Sequence, residues 1–195
     1  MKISFLASHG GSAARYIIAA MRAGQLDAQP GLLITNNQNS DIYRWCQEHA
    51  IDLACISTKT HPLDEDRDKA IHGALKTAGT DFIVLSGYMK KIGPLTLSGY
   101  ANKILNVHPS LLPRHGGQGL YGDKVHESVL KSGDKQSGAT VQFVSEEYDQ
   151  GPIVAQQTVT VLEGETLATL KAKVQVIENE LYLRSLKQLL LSYKG

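Results

Sequence analysis

The sequence has little of what marks a secreted, membrane or nucleic-acid-binding protein. Its 195 residues include only two cysteines, Cys46 and Cys55, one in a helix-like and one in a strand-like context. With no secretory leader before them, they are expected to be reduced core residues rather than a disulfide. No apolar run approaches the roughly 18 residues of a membrane-spanning helix. Neither sign of charge dominates: 20 Lys and Arg stand against 19 Asp and Glu, interspersed along the chain, for a net charge of +1. Without a basic stripe there is no electrostatic footprint for nucleic acid or an anionic membrane surface. Met1 leads straight into a strand-like run to Ala7, with no basic region and no cleavage site. Low-complexity stretches, internal repeats and a clear linker are also missing. The expectation is a cytoplasmic globular protein with no nucleic-acid or membrane partner, long enough to bury about 70% of its unfolded surface in one core.

What is present is an alternation of short β-branched runs with longer periodic stretches, the pattern of an α/β fold. Strands are predicted at Lys2–Ala7, Gly31–Thr35, Ile51–Ile56, Phe82–Leu85 and Lys103–Val107. Helices are predicted at Ala13–Ala23, at Asp41–Glu48 behind a Ser40 cap, and at Asp64–Thr77. The nearly all-apolar Phe82–Leu85 suits a parallel sheet covered on both faces. Beyond these, Ala139–Ser145 and Ile153–Val161 alternate like two strands of a hairpin with an extended loop. A long helix is predicted from Glu165 to about Leu191. Its apolar stripe runs through Leu167, Leu170, Val174, Ile177 and Leu181, then shifts phase to Leu186, Leu189 and Leu190. The predicted architecture is a doubly wound, mostly parallel Rossmann-like sheet with a C-terminal hairpin and a long closing helix. It forms a single domain over residues 1–195, a half at 1–108 being completed by 109–195.

Three stretches carry chemistry. Ser8-His9-Gly10-Gly11-Ser12 follows the first strand, and glycines before a helix N-terminus can cradle one phosphate. The stretch lacks the Walker Gly-Lys-Ser/Thr and the dinucleotide Gly-x-Gly-x-x-Gly spacing, and it reads equally well as a tight turn with a serine cap. The second stretch is Asn106-Val107-His108-Pro109-Ser110-Leu111-Leu112-Pro113. Asn106 and His108 are two apart, so on a strand they project to the same side, at the carboxyl end where open α/β sheets bind ligands. An amide donor beside an imidazole suits a tetrahedral oxyanion. The third is Asp149 before Gln150-Gly151-Pro152, which serves either as turn chemistry or as a carboxylate for His108. His108, His115 and His126 lack the cysteine or carboxylate spacing of a zinc site, so no metal is expected. The cysteines have no adjacent base, which argues against a cysteine nucleophile.

The segment Asn106–Pro113, followed by Gly117 and Asp149-Gln150-Gly151-Pro152-Ile153, resembles the folate-dependent formyltransferases, over nearly the whole chain from Lys2 to about Leu186. The resemblance is strongest to the branch that formylates glycinamide ribonucleotide in purine biosynthesis. It implies that His108 is the general acid, that Asp149 favours its charged form, and that Asn106 holds the formyl oxygen. It implies acceptor contacts at Gly11, Ser12, Ala13, Gly87, Gln175 and Glu178. Contacts with the co-substrate 10-formyltetrahydrofolate are implied at Met89, Lys90, Lys91, Ile92 and Asn106, and along Ser145, Glu146, Glu147, Tyr148 and Asp149. A monomer or homodimer acting on small molecules is expected. The same signature is shared by formyltransferases of other amines and by 10-formyltetrahydrofolate hydrolases, and a non-catalytic folate or nucleotide-binding module would keep the fold. The chain departs from the family pattern in three places. Ala13 replaces an asparagine in the phosphate loop, with Arg15 the nearest cation on offer. Asp64 stands where an arginine is usual, with Arg67 nearby. The stretch Arg114–Val125 is long and glycine-rich.

Overall fold

The computed structural model describes residues 1–193. Seven strands follow the order β3-β2-β1-β4-β5-β6-β7, a mixed sheet flanked by helices. They are β1 (Lys2–Ala7), β2 (Gln29–Thr35), β3 (Leu53–Cys55), β4 (Phe82–Leu85), β5 (Ile104–His108), β6 (Gln136–Phe143) and β7 (Ile153–Thr160). Six helices accompany them: α1 (Ser12–Arg22), α2 (Asp41–Glu48), α3 (Asp64–Thr77), α4 (Pro94–Gly99), α5 (Asp123–Ser132) and α6 (Leu167–Ser192). The chain divides into two compact units, Met1–Leu105 and the part from Asn106 onward.

In the first unit, β1 pairs in parallel with β2 and β4, and β2 with β3. Ile3, Phe5 and Leu6 of β1 and Ile83 and Val84 of β4 are fully buried, as strands covered on both faces require. Each such side chain contributes about 1.5–3 kcal/mol by leaving water. Ile17 and Ile18 supply the inward stripe of α1. Ser40 caps α2 as the sequence suggests, its hydroxyl accepting from the Tyr43 N–H at 3.3 Å. The turn before α1 differs from the serine-capped reading. Its cap is Gly11, left-handed at φ 61° and without a side-chain cap bond, because a Cβ there would lie 2.7 Å from the Ile42 side chain.

In the second unit, β6 and β7 form the expected antiparallel hairpin, with Thr140 opposite Gln156. β6 begins three residues earlier than the apolar alternation suggests, because Gln136, Ser137 and Gly138 pair with Thr160, Val159 and Thr158. α6 starts behind Thr166, which accepts from the Thr169 N–H at 3.2 Å while the Thr169 hydroxyl accepts from the Thr166 N–H at 3.1 Å. Leu170, Val174, Leu181, Tyr182, Leu186 and Leu190 of this helix are buried, whereas Leu167, Ile177 and Leu189 are only half-buried.

Two helices lie outside the sequence reading. α4 has six residues, too few for a period to show, and its N-terminal donors are satisfied from a distance. The Asp68 carboxylate of α3 accepts from the Leu95 N–H at 2.8 Å and the Thr96 N–H at 3.0 Å. α5 is a ten-residue helix ended by Gly133 in the left-handed conformation, in a stretch where glycines mask the periodicity. No helix among the described residues is long and apolar enough to cross a membrane.

Candidate active site

In the first unit, the exits of β1 and β4 are tied together. The Ser8 N–H donates to the Gly87 carbonyl at 3.2 Å, and the Ser8 hydroxyl accepts from the Met89 N–H at 2.8 Å. The Ser86 hydroxyl accepts from the Ala14 N–H, in the first turn of α1, at 3.0 Å. Gly11 and Gly87, two of the residues expected to face the acceptor, thus flank one pinned turn, with Gly87 left-handed at φ 66°. Ser12 is exposed, whereas Ala13 is buried against the core and presents no side chain to a ligand. The Arg15 guanidinium lies over the Trp45 ring, 5.5 Å from its centroid. Arg67 is tied to the turn before α3, donating to the carbonyls of His61 and Pro62 at 2.7 Å and pairing with Asp64. Of the residues expected to line the folate site, Met89, Lys90 and Lys91 are exposed and Ile92 is buried. Burial pushes the neighbouring Tyr88 phenol up to about 12.

The second unit holds the reactive cluster. β5 ends in Asn106, Val107 and His108; Asn106 is half-buried and His108 is 4% exposed. His108 Nδ1 stands 3.5 Å from Asp149 Oδ2, so the hairpin loop does carry the carboxylate to the imidazole. His108 Nε2 lies 2.9 Å from the His115 carbonyl. A carbonyl only accepts, so Nε2 is assigned a proton. Nδ1 also faces an acceptor, Asp149 Oδ2.

Asp149 sits in the left-handed region at φ 57°, a conformation aspartate tolerates better than most residues. Its Oδ2 accepts from the Gly117 N–H at 3.0 Å and its Oδ1 from Gln142 Nε2 at 2.9 Å. The chain passes so close here that a Cβ on Gly116 would lie 2.3 Å from the Leu112 side chain and 3.2 Å from Asp149 Cβ. The loop after His108 is braced from β6. The Thr140 hydroxyl donates to the Ser110 carbonyl at 2.7 Å and accepts from the Leu112 N–H at 3.0 Å. The Leu112–Pro113 peptide bond is cis.

Several participants escape sequence reasoning. The His115 ring meets Asp134 through Nε2 and Ser128 through Nδ1, both at 2.8 Å, and Arg114 also pairs with Asp134. The His115 hydrogen bond is the main cause holding the Asp134 carboxyl below the usual carboxylate range. His126 is 2% exposed, with Nδ1 unpartnered; burial, helped by the Lys171 charge, pulls its imidazole below the ordinary value. Gln142 carries the one readable signal. It and Thr140 are buried polar side chains on alternate positions of β6, which also buries Ser137.

The remaining candidates are less tightly held. In the hairpin loop, the Ser145 hydroxyl donates to the Glu147 carbonyl at 2.9 Å, and Glu146, Glu147 and Tyr148 are exposed. On α6, Gln175 is exposed and Glu178 half-buried, and desolvation pushes the Glu178 carboxyl up to about 7. No group of three or more His, Cys, Asp and Glu side chains among the described residues is placed to hold a metal ion.

An imidazole and an amide at the end of a strand, with a half-buried carboxylate from the hairpin loop against the imidazole, are groups that suit acyl chemistry without a covalent nucleophile. The chain belongs to the formyl transferase family, whose model matches residues 1–186. Within that family it is similar to the chloroplastic phosphoribosylglycinamide formyltransferase of Arabidopsis thaliana, 37% identical over 183 residues that cover 93% of this chain. The chain spans 63% of that relative's length, less than two thirds. It is 31% identical to the phosphoribosylglycinamide formyltransferase of Bacillus subtilis, over 97% of this chain and 94% of the relative. The crystal structure of the phosphoribosylglycinamide formyltransferase of Bacillus halodurans superposes with a TM-score of 0.89 at 36% identity, covering 97% of this chain and 95% of that one.

Proposed function

We propose that this protein transfers the formyl group of 10-formyltetrahydrofolate to the amine of glycinamide ribonucleotide. The observation that carries the proposal is the meeting of His108 and Asp149 at 3.5 Å beside Asn106, the triad expected of a folate-dependent formyltransferase. The relatives named above support this choice of acceptor.

The amine attacks the formyl carbon, giving a tetrahedral intermediate whose oxygen carries negative charge. That oxygen takes a hydrogen bond from the Asn106 amide and another from His108 Nε2–H, in exchange for the His115 carbonyl that Nε2 meets here. Asp149, held through both oxygens, keeps the imidazole oriented and its charge balanced. The proton lost by the attacking amine passes to the departing folate nitrogen, and no covalent enzyme intermediate forms. Within the first unit, the turn pinned through Ser8 leads through Gly11 into the start of α1, the segment that would take a phosphate. Within the second unit, Gln175 and Glu178 of α6 are the candidates for acceptor contacts, and the hairpin loop Ser145–Asp149 is the candidate for folate contacts.

The test is an assay of purified protein with both substrates, with amine-free and alternative-amine controls. Formylglycinamide ribonucleotide is the expected product. Formate release without an acceptor would instead make the protein a hydrolase. Preference for another amine would reassign the acceptor, and ligand binding without turnover would leave only a binding module.

A further inference from the structure

Gln142 is 2% exposed on β6, between Val141 and Phe143, where an aliphatic side chain would suit the apolar strand equally well. Its Nε2 donates to Asp149 Oδ1 at 2.9 Å, while its Oε1 is buried and accepts no hydrogen bond. The orientation of the amide follows from charge. Turned over, it would set its oxygen against a carboxylate oxygen and lose the only bond it makes. A buried polar group left half-satisfied costs stability, and such groups cluster where function requires them.

The Asp149 carboxylate has two neutral donors, and they differ in kind. The Gly117 N–H comes from the irregular stretch before α5. Gln142 comes from β6, which is paired with β7 from Gln136 to Gln142, and it sits where the register shifts after Val141, an irregularity that can re-aim a side chain. The backbone of Asp149 itself offers little restraint, being a left-handed loop residue.

We propose that Gln142 is the positioning residue for Asp149: its amide fixes the carboxylate so that Oδ2 meets His108 Nδ1, and it has no contact of its own with the reacting atoms. The inference rests on the reading that His108 and Asp149 carry the formyl transfer. Partners one step removed from a reacting group, when lost, typically cost about 10- to 100-fold where their effect has been measured at metal sites.

The experiment compares steady-state kinetics of the full chain and three variants, with 10-formyltetrahydrofolate and glycinamide ribonucleotide, alongside their thermal melting. Gln142→Leu removes the donor, Gln142→Glu keeps the shape but replaces the donor with a like charge, and Gln142→His restores an N–H of similar reach. Expected is a kcat about 10- to 100-fold lower for the Leu and Glu variants, with both KM values within about threefold of wild type. The His variant recovers to within about fivefold. The proposal is overturned if the Glu variant turns over like wild type, if the loss falls on KM alone, or if the His variant is as slow as the Glu variant while melting normally. Should the Leu variant fail to fold, the contrast between Glu and His decides. His108→Ala and Asp149→Asn are measured in the same series. If these two keep wild-type turnover, the functional reading itself fails; if they lose it and the Gln142 variants do not, only the positioning role fails.

Discussion

Replacing Asp149 with asparagine separates charge from shape at the reactive cluster. The carboxylate accepts from Gly117 N–H and Gln142 Nε2 and faces His108 Nδ1. An asparagine can keep its oxygen in the Oδ2 position, toward Gly117 and His108, only by turning its NH2 toward Gln142. The Gln142 amide then rotates, and its Oε1, which accepts nothing in the native protein, receives that NH2. The Gln142 amide exchanges one unpaired atom for the other, Nε2 for Oε1, so the variant should melt within about 2 °C of wild type. What it loses is the carboxylate's negative charge, which would attract a positive charge developing on His108 in the transition state. Two unit charges 3.5 Å apart attract by about 5 kcal/mol at an effective dielectric of 20. Desolvation offsets part of that. If about half survives as preferential stabilisation of the charged transition state, turnover falls by about 10²-fold. The assay is the initial rate of formylglycinamide ribonucleotide formation at saturating substrates, with calorimetry on the same sample. A variant that melts normally and turns over within threefold of wild type would refute the reasoning.

Other perturbations follow the same logic. Asn106→Ala should leave melting unchanged and lower kcat by about 10²–10³-fold, the usual cost of one oxyanion donor, and undiminished turnover would count against that role. Gly116→Ala pushes a methyl group against Leu112 and Asp149, so a loss of about 1–3 kcal/mol in denaturant unfolding is expected together with at least tenfold slower turnover. Wild-type behaviour in both measurements would show that the loop yields freely. Glu178 is protonated more readily in the folded chain, at about 7, than its ordinary value of 4.5. The native state therefore holds the extra proton between those values, and this contribution to stability is full below about 4.5 and lost as pH rises through 7. Between pH 5 and 8 the wild type should lose more melting temperature than Glu178→Gln, and parallel curves would contradict the assignment.

Features set by local chemistry were legible in the sequence. α2 behind Ser40, α3, β1 and β4 have the predicted bounds because each depends on its own run of side chains, with a side-chain cap at α2. Asn106 and His108 were readable as a pair because a strand places alternate residues together. Asp149 was not placed by spacing; the family resemblance supplied it, and the structure sets its carboxylate beside His108. What stayed hidden depends on distant partners. The cap of α4 is Asp68 on another helix, and the acceptor for His108 Nε2 is a backbone carbonyl, which no side-chain motif encodes. Gln142 was visible only as an out-of-place polar residue on a strand, and Asp134 only as a loop acid until its bond to His115 was seen.

The bond from His108 to the His115 carbonyl has a consequence for an enzyme that waits between encounters. A buried acid with an open face would offer its proton to any water that entered, and a bound formyl donor could then be spent without an acceptor. Here the Nε2–H of His108 donates to a peptide oxygen. In the proposed transfer that peptide oxygen gives way to the oxygen of the tetrahedral intermediate, which is charged and accepts more strongly. Neither partner leaves the imidazole unpaired, so the N–H is held in place until an oxygen that accepts more strongly arrives.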